Sequence, residues 1–288
     1  MLINMTELLS VAERFDFAVP AFNIGTGQLL KAVMDTCEAL NAPVILAIHP
    51  EELKFQGDAF AAQCLYAAHH SRVPCVIHMD HGDKIEDMLK AIRLGFTSVM
   101  IDASHLPFEQ NVAITKQVVA LAHPLNISVE AELGTIGSTE GDMEKASGEI
   151  IYTDPGMAAE FVRLTDCDCL AIAIGTAHGI YPKGFVPELK LDLLSEIKGQ
   201  VSVPLVLHGG SSNSDAEIAE SIRRGVRKIN ISSDVKDAYY QELRLTLRDL
   251  VVREPFALYP ASMQAAKRII KEKIELFNAQ DKIKHYKD

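Results

Sequence analysis

VPCVIHMDHGD, residues 73–83, begins with an apolar run and ends in histidine, aspartate and glycine. The run is continuously apolar rather than alternating, which predicts a strand of a parallel sheet buried on both faces. Its polar end predicts where such a sheet binds ligands, because sites in α/β folds form beyond the carboxyl ends of the strands. This stretch therefore indicates both the fold and the place of the chemistry.

Similar short apolar runs occur along the rest of the chain. They lie at 18–23, 43–49, 98–102, 127–133, 169–175, 203–209 and 228–232. Helix-length segments alternate with them, and a glycine after several of these segments fits a helix end. The clearest helical segments are 28–40, 84–95, 108–123 and 215–225.

Eight strand–helix units in about 250 residues predict a (β/α)8 TIM barrel of the α/β class. The segments after the eighth strand predict extra C-terminal helices, and we expect residues 1–288 to form this single domain. An open doubly wound sheet is the alternative. Its first turn would carry a glycine-rich fingerprint, which is absent from this sequence.

The net charge and the cysteine content limit the partners and the cellular compartment that we expect for this protein. The net charge of −11 argues against nucleic acid as a partner, although a local pocket can still attract an anionic substrate. The five cysteines are odd in number and lie mostly in apolar runs, which predicts buried free thiols in a reducing compartment. We find no signal peptide and no stretch of about 18 apolar residues, so we expect a cytoplasmic protein without a membrane span.

Three histidines each follow an apolar run and each precede a glycine: His81, His178 and His208. In a parallel barrel their imidazoles would gather at the carboxyl end. One such histidine is more often an ordinary polar residue, but three at the ends of three strands favour a metal. Three imidazoles with an open fourth position are typical of a catalytic zinc site.

Carboxylates accompany these histidines. Asp80 could orient a ligand histidine, or it could act on the substrate as a proton donor or acceptor. Glu130 and Glu132 alternate with small and apolar residues, so both should point to one face of the fifth strand. Glu132, nearer the carboxyl end, could contact the metal. It could equally pair with backbone or a lysine inside the barrel.

Two strand–turn–helix junctions predict an anion site. HGGSS (208–212) and NISSD (230–234) follow the seventh and eighth strands, where α/β barrels commonly bind phosphate. Zinc beside a phosphate site suits retro-aldol cleavage of a phosphorylated ketose, because zinc can stabilise an enediolate. The long polar connection 134–154 predicts a functional loop at the same end of the barrel.

At this point the chain resembles the class II, zinc-dependent ketose-bisphosphate aldolases, which comprise fructose and tagatose bisphosphate aldolases. The resemblance covers essentially the whole chain, and the order of its motifs is more specific than any one of them. The motifs are VPAFN (19–23), HMDHG (78–82), SVMIDASHLPFEQN (98–111), VEAELG (129–134), GTAHGIY (175–181), PLVLHGGSS (204–212) and KINISSD (228–234).

The resemblance implies a reaction and roles for named residues. Fructose or tagatose 1,6-bisphosphate would be cleaved to dihydroxyacetone phosphate and an aldehyde by a homodimer or homotetramer. His81, His178 and His208 would bind Zn²⁺, and Glu132 would approach it. Asp80 would be the acid/base at the C4 hydroxyl, and Glu140, on a mobile loop at 135–150, would handle the C3 proton. The substrate and a monovalent cation, Na⁺ or K⁺, would contact Asn23, Gly179, Gly209, Ser211, Asn230, Ser232 and Ser233.

Two departures from the family pattern lead to an alternative substrate. Phe256 and Pro260 stand where bisphosphate-specific members carry arginines for the distal phosphate. His49, Glu51 and Glu52 replace the small residues usual after the second strand, and acids repel a phosphate. The alternative is therefore a ketose 1-phosphate whose aldehyde half carries no phosphate.

Two further functions compete with the aldolase. A barrel zinc hydrolase would carry a His-x-His motif on its first strand, which 18–23 lacks. A non-catalytic partner subunit of an aldolase complex would not need His81, His178, His208 and Asp80, all of which are present.

Overall fold

The computed structural model describes residues 1–138, 151–178, 188–211 and 213–286. Eight strands form a closed, all-parallel barrel in the order β1-β10-β9-β7-β5-β4-β3-β2, which confirms the predicted (β/α)8 architecture. Two short strands, β6 and β8, pair with each other outside the barrel. The strands are β1 (Val19–Asn23), β2 (Val44–Ile48), β3 (Cys75–Gly82), β4 (Ser98–Ile101), β5 (Ser128–Leu133), β6 (Gly137–Ser138), β7 (Cys169–Ile172), β8 (Ala177–His178), β9 (Leu205–Leu207) and β10 (Val226–Ile231).

The helices surround the barrel and begin and end at the residues that local chemistry favours. Thr26 accepts a hydrogen bond from Leu29 N at the start of α2, and Gly95, at φ 91°, ends α5 in a left-handed conformation. The helices of the described ranges are α1 (Met5–Arg14), α2 (Gly27–Ala39), α3 (Pro50–Gln56), α4 (Asp58–His70), α5 (Ile85–Leu94), α6 (Phe108–Ala122), α7 (Pro155–Thr165), α8 (Leu191–Lys198), α9 (Asp215–Arg223), α10 (Ser233–Thr246), α11 (Pro255–Leu258) and α12 (Pro260–Leu276).

The apolar core fills the space between the barrel and its helices. Every residue of β2 is buried, as the continuous apolar run predicts for a strand covered on both faces. The helix α10 follows the eighth barrel strand and completes the last strand–helix unit, so the expected extra C-terminal helices are α11 and α12. The last of them packs against α2 and α10 and buries Ala266, Ile270 and Ile274. The helices after the eighth barrel strand thus cover the outside of the barrel near β1.

The inside of the barrel is polar. Side chains alternate along a strand, so residues two apart point the same way. His78 of β3, Glu130 of β5 and Lys228 of β10 form an inner layer, in which all three are fully buried. One step nearer the carboxyl end, Asp80 and Asn230 meet in a second layer. The barrel therefore carries ionisable groups where bulky aliphatic side chains usually fill the interior.

The structure differs from the prediction around His178. The predicted strand 169–175 ends at Ile172, and Gly175 takes a φ of 120°, which favours glycine. His178 therefore lies beyond the barrel in β8, where its backbone pairs with Ser138. Ser138 belongs to the long connection after β5, so the two segments meet at the carboxyl end of the barrel.

Two other predictions can be compared with the described residues. All five cysteines are free and buried, as expected. No helix in the described part of the chain combines the length and the apolarity that a membrane crossing needs.

Candidate active site

The carboxyl ends of the barrel strands bring several predicted residues together. Asp80 and His81 end β3, and His208 directly follows β9. One ligand atom from each of these three lies within 4.8 Å of the others. His81, Asp102 and Glu132 form a second such group, so His81 belongs to both. The predicted metal ligands of the described residues thus converge on one place.

The two imidazoles of His81 and His208 face each other directly. Nε2 of His81 lies 2.7 Å from Nδ1 of His208. The rings meet edge to face, with centroids 4.5 Å apart and an interplanar angle of 81°. His81 has a φ of 50°, which is uncommon for a residue with a side chain and typical of functional sites. The turned backbone is what aims this ring away from the strand.

A carboxylate holds the far nitrogen of His81. Nδ1 of His81 lies 3.0 Å from Oδ2 of Asp102, which follows β4. Ser104 donates hydrogen bonds to the other oxygen of Asp102 from its backbone and its hydroxyl. Burial alone would raise the pKa of Asp102, but these hydrogen bonds and the neighbouring imidazole hold it below its ordinary value. An ionised Asp102 accepts a hydrogen bond from Nδ1–H, which leaves Nε2 to face the site.

A second carboxylate holds the far nitrogen of His208. Nε2 of His208 lies 2.8 Å from Oε1 of Glu130, whose pKa stays below its ordinary value despite burial because of the Lys228 ammonium and the His208 hydrogen bond. Burial, together with the charge of His81, lowers the pKa of His208 to about 4. The ring is therefore neutral at neutral pH, and its Nε2 faces the Glu130 carboxylate.

These contacts show that the residues fit a metal ion. Asp102 and Glu130 each accept a hydrogen bond from the far nitrogen of His81 and His208, so both facing nitrogens present lone pairs when the rings are neutral. Two lone pairs 2.7 Å apart repel unless a proton or a metal ion lies between the nitrogens. Asp80 adds negative charge beside them. Imidazoles oriented by carboxylates are the usual donors for Zn²⁺.

Asp80 is held between two asparagines. Asn23 donates to one of its oxygens at 2.6 Å and Asn230 donates to the other at 3.0 Å. Burial would raise the pKa of Asp80, but the charges of His81 and Lys228 hold it well below its ordinary value. The carboxylate is therefore fixed in direction and ionised, as a proton acceptor must be.

Glu132 is buried beside the same centre. It shares the second group of possible ligands with His81 and Asp102, and Asn111 donates to its backbone carbonyl at 2.9 Å. Glu130 is the carboxylate that pairs with a lysine inside the barrel. Of the two alternatives that the sequence left open for Glu132, its position beside His81 favours contact with a metal.

The residues that we expect to contact the phosphate lie in the loop after β9 and at the start of α10. Gly209 has a φ of 63°, and a Cβ there would lie 2.5 Å from the Ala177 carbonyl oxygen. Ser211 is buried, Ser232 precedes α10 and Ser233 begins it. Ser232 makes no side-chain hydrogen bond to the first turn of α10. Asn230 instead points to Asp80 and to His208 Nδ1.

Some predicted residues lie outside the described part of the chain. These are Glu140, Gly179 and most of the loop 135–150, and nothing is described of the His178 side chain. The backbone of His178 is described and lies in β8.

Sequence reasoning missed two residues of the site. Asp102 was part of a quoted motif but received no role, and Lys228 was taken only as part of a strand. The sequence signal for Asp102 was its position directly after a strand, because His208 also directly follows its own strand. For Lys228 it was the two-residue spacing to Asn230, which puts both on the inward face. The sequence also offered Asp80 as the residue that orients a histidine, and Asp102 makes that contact with His81.

Comparisons with known proteins find relatives of similar sequence and fold over nearly the whole chain. A family model described as fructose-bisphosphate aldolase class-II matches residues 3–282. The chain is similar to the YdjI aldolase from Escherichia coli K12, with 34% identity, a TM-score of 0.85, and coverage of 98% of this chain and 100% of that one. It is also similar to a protein from Coccidioides immitis assigned as a fructose-1,6-biphosphate aldolase, with 27% identity, a TM-score of 0.89 and 98% of both chains covered. A fructose-bisphosphate aldolase from Campylobacter jejuni, 20% identical with a TM-score of 0.81, shares the fold over 98% of this chain and 96% of its own.

Proposed function

Because the chain belongs to the class II fructose-bisphosphate aldolase family, we propose that it reversibly cleaves a ketose phosphate to dihydroxyacetone phosphate and an aldehyde. Fructose or tagatose 1,6-bisphosphate is the default substrate. The observation that carries the proposal is the Asp80 carboxylate, held by Asn23 and Asn230 beside the imidazoles of His81 and His208. In this arrangement the proposed proton acceptor, Asp80, lies beside the two histidines that would hold a cation.

The proposed metal is zinc. His81 and His208 would hold it, His178 would complete the set by resemblance to the family, and Glu132 is close enough to contribute. When bound, zinc supplies a Lewis acid that polarises the ketone carbonyl and eases the charge that develops during cleavage. Asp102 and Glu130 keep the two imidazoles oriented for it.

Asp80 moves the proton that starts cleavage. In our proposal its ionised carboxylate takes the proton of the C4 hydroxyl as the C3–C4 bond breaks and the aldehyde forms. The bonding electron pair moves toward the ketone carbonyl, and C3 later takes a proton, for which Glu140 is the proposed donor. Asn23 and Asn230 hold the two oxygens of Asp80, so little reorientation is needed during the transfer.

The donor phosphate would bind between the loop after β9 and the first turn of α10. Gly209, Ser211, Ser232 and Ser233 surround this region, and helix N-termini attract anions through free N–H groups. Asp234 would repel a phosphate there, but its carboxylate is paired with Lys273 at 2.9 Å. The monovalent cation near the phosphate, with Gly179 and Asn230 among its neighbours, remains part of the proposal by resemblance.

A second candidate substrate is a ketose 1-phosphate that yields an uncharged aldehyde. The carboxylate of Glu52 lies over Gly25, so close that a Cβ on that glycine would be 2.7 Å from it. Gly25 follows β1 at the carboxyl end of the barrel. Lys236 approaches Glu52 at 3.8 Å, and Phe256 is an exposed apolar residue that brings no positive charge. These features favour a neutral group at the aldehyde end.

The first test is a coupled assay of dihydroxyacetone phosphate release from a series of ketose 1-phosphates and 1,6-bisphosphates. We expect cleavage of at least one of them. If Glu52 shapes the aldehyde end, kcat/KM for fructose 1-phosphate should come within about 100-fold of that for fructose 1,6-bisphosphate, since a carboxylate there repels the second phosphate of the bisphosphate.

Two outcomes of this assay separate the alternatives. A preference above about 100-fold for the bisphosphate removes the second candidate and leaves the default substrate. A purified chain that binds zinc and cleaves none of the compounds supports the non-catalytic partner subunit instead. We further propose a homodimer or homotetramer in the cytoplasm, and the mass of the protein by light scattering checks the assembly.

A further inference from the structure

A chain of three buried groups runs from the centre of the barrel to the active site. The ammonium of Lys228 lies 2.9 Å from Oε1 and 2.7 Å from Oε2 of Glu130. Oε1 of Glu130 in turn lies 2.8 Å from Nε2 of His208. All three side chains are fully buried. The order Lys228, Glu130, His208 is thus fixed by short contacts without solvent.

Stability alone does not account for this ion pair. Taking a lysine and a glutamate out of water is costly, and well-packed apolar residues in their place often leave a protein as stable or more stable. Branched aliphatic side chains commonly fill this layer of an α/β barrel. The pair therefore calls for a role beyond filling the interior, and its contact with His208 indicates which role.

We propose that Glu130 and Lys228 are positioning residues that fix the tautomer of His208. Glu130 accepts a hydrogen bond from Nε2–H, so Nδ1 keeps a lone pair directed at His81 Nε2, 2.7 Å away. Lys228 contacts both oxygens of Glu130 and so fixes the plane of the carboxylate. The inference rests on the proposed metal, because it explains how His208 presents a donor nitrogen to it.

The arrangement at His81 supports this role. There the far nitrogen, Nδ1, faces the Asp102 carboxylate at 3.0 Å, and Nε2 faces the site. The two histidines use opposite nitrogens, yet each has a carboxylate behind it. The same pattern thus occurs on two strands and at two different ring nitrogens, as expected if hydrogen bonds orient the imidazoles. Loss of a carboxylate that orients a ligand histidine commonly weakens metal binding by about 10- to 100-fold.

The tautomer can be measured directly without any metal. In metal-free protein with ¹⁵N-labelled histidine, long-range ¹H–¹⁵N spectra distinguish a protonated from an unprotonated ring nitrogen, and the His208→Ala protein identifies the signals of His208. We expect the proton on Nε2. A proton on Nδ1 in the unsubstituted protein overturns the proposal, whatever the variants do.

Two variants test the positioning. In Glu130→Gln, the amide must set a donor against either Lys228 or His208 Nε2, so we expect the His208 proton to leave Nε2 in part of the molecules. In Lys228→Met, the carboxylate loses the contacts that fix its plane. For both we expect zinc dissociation constants, measured by competition with a chromophoric chelator, to rise by about 10- to 100-fold.

Arg227→Met is the matched control. Arg227 adjoins Lys228 on β10, is also buried, and pairs with Asp16 at 2.8 Å on the other side of the strand. We expect its zinc affinity to stay within about twofold of the unsubstituted protein even if its thermal stability falls. Unchanged zinc affinity in folded Lys228→Met and Glu130→Gln contradicts the inference. Failure of the unsubstituted protein to bind zinc would instead contradict the proposed function, and the His208 spectrum would still test the tautomer.

Discussion

Replacing Asp80 with asparagine is expected to lower kcat for aldol cleavage by about 100- to 10,000-fold, the usual contribution of a positioned acid or base. Asparagine has the same shape and can still contact Asn23 or Asn230, but it cannot take a proton. Zinc content and KM should change little, because the imidazoles keep their own carboxylates, Asp102 and Glu130. Steady-state kinetics with metal analysis of the same sample measures both.

The matched control is Asp168→Asn. Asp168, unlike Asp80, does not adjoin a proposed metal ligand: it accepts a hydrogen bond from the Val129 backbone and lies 2.9 Å from His123, away from the metal groups. Its replacement should reduce thermal stability and leave kcat within about twofold. An Asp80→Asn protein that retains more than a tenth of the kcat would show that another group takes the proton.

The second large effect is expected from His208→Ala. The variant should lose its zinc and at least about 1,000-fold in kcat/KM, because a Lewis acid worth several kcal/mol leaves with the ligand. Glu130 and Lys228 would also lose their contact with the imidazole, so some loss of thermal stability should accompany the kinetic effect. Metal analysis after gel filtration and an assay with added zinc measure the two losses separately.

His123→Ala removes a histidine of similar chemistry from a different place. His123 faces Asp168 just as His81 faces Asp102, but it lies in the short helical turn before β5. Its zinc content and cleavage rate should stay unchanged. If His208→Ala keeps stoichiometric zinc and more than a tenth of its activity, the imidazole pair is not the metal centre.

The barrel was predictable from the sequence because most of its strands are short apolar runs, although β5 and β10 also carry charged side chains. The sequence could place Asp80 and His208 at the carboxyl end of the barrel, because each lies where an apolar run ends and the carboxyl ends of parallel strands share one face. Lys228 could not be placed in this way, since a lysine within a strand more often faces water. Only the closed barrel shows that its partner, Glu130, comes from a strand far away in the sequence.

The position of His178 depends on contacts that no local pattern contains. Its run of small and apolar residues continues past Ile172, but Gly175 turns the chain and β8 pairs with β6 from the preceding connection. The role of Asp102 was hidden for a similar reason. Its hydrogen bond to His81 joins the ends of β3 and β4, and the orientation of His81 depends on a φ of 50°.

The central claim is that the centre formed by His81 and His208 holds the metal with which Asp80 works in aldol cleavage. The most direct measurement is a zinc titration of metal-free protein, following release of dihydroxyacetone phosphate from the best substrate. We predict negligible cleavage without metal and a rise that saturates at one zinc per chain. Full cleavage in the metal-free protein, or none at saturating zinc, would contradict the claim.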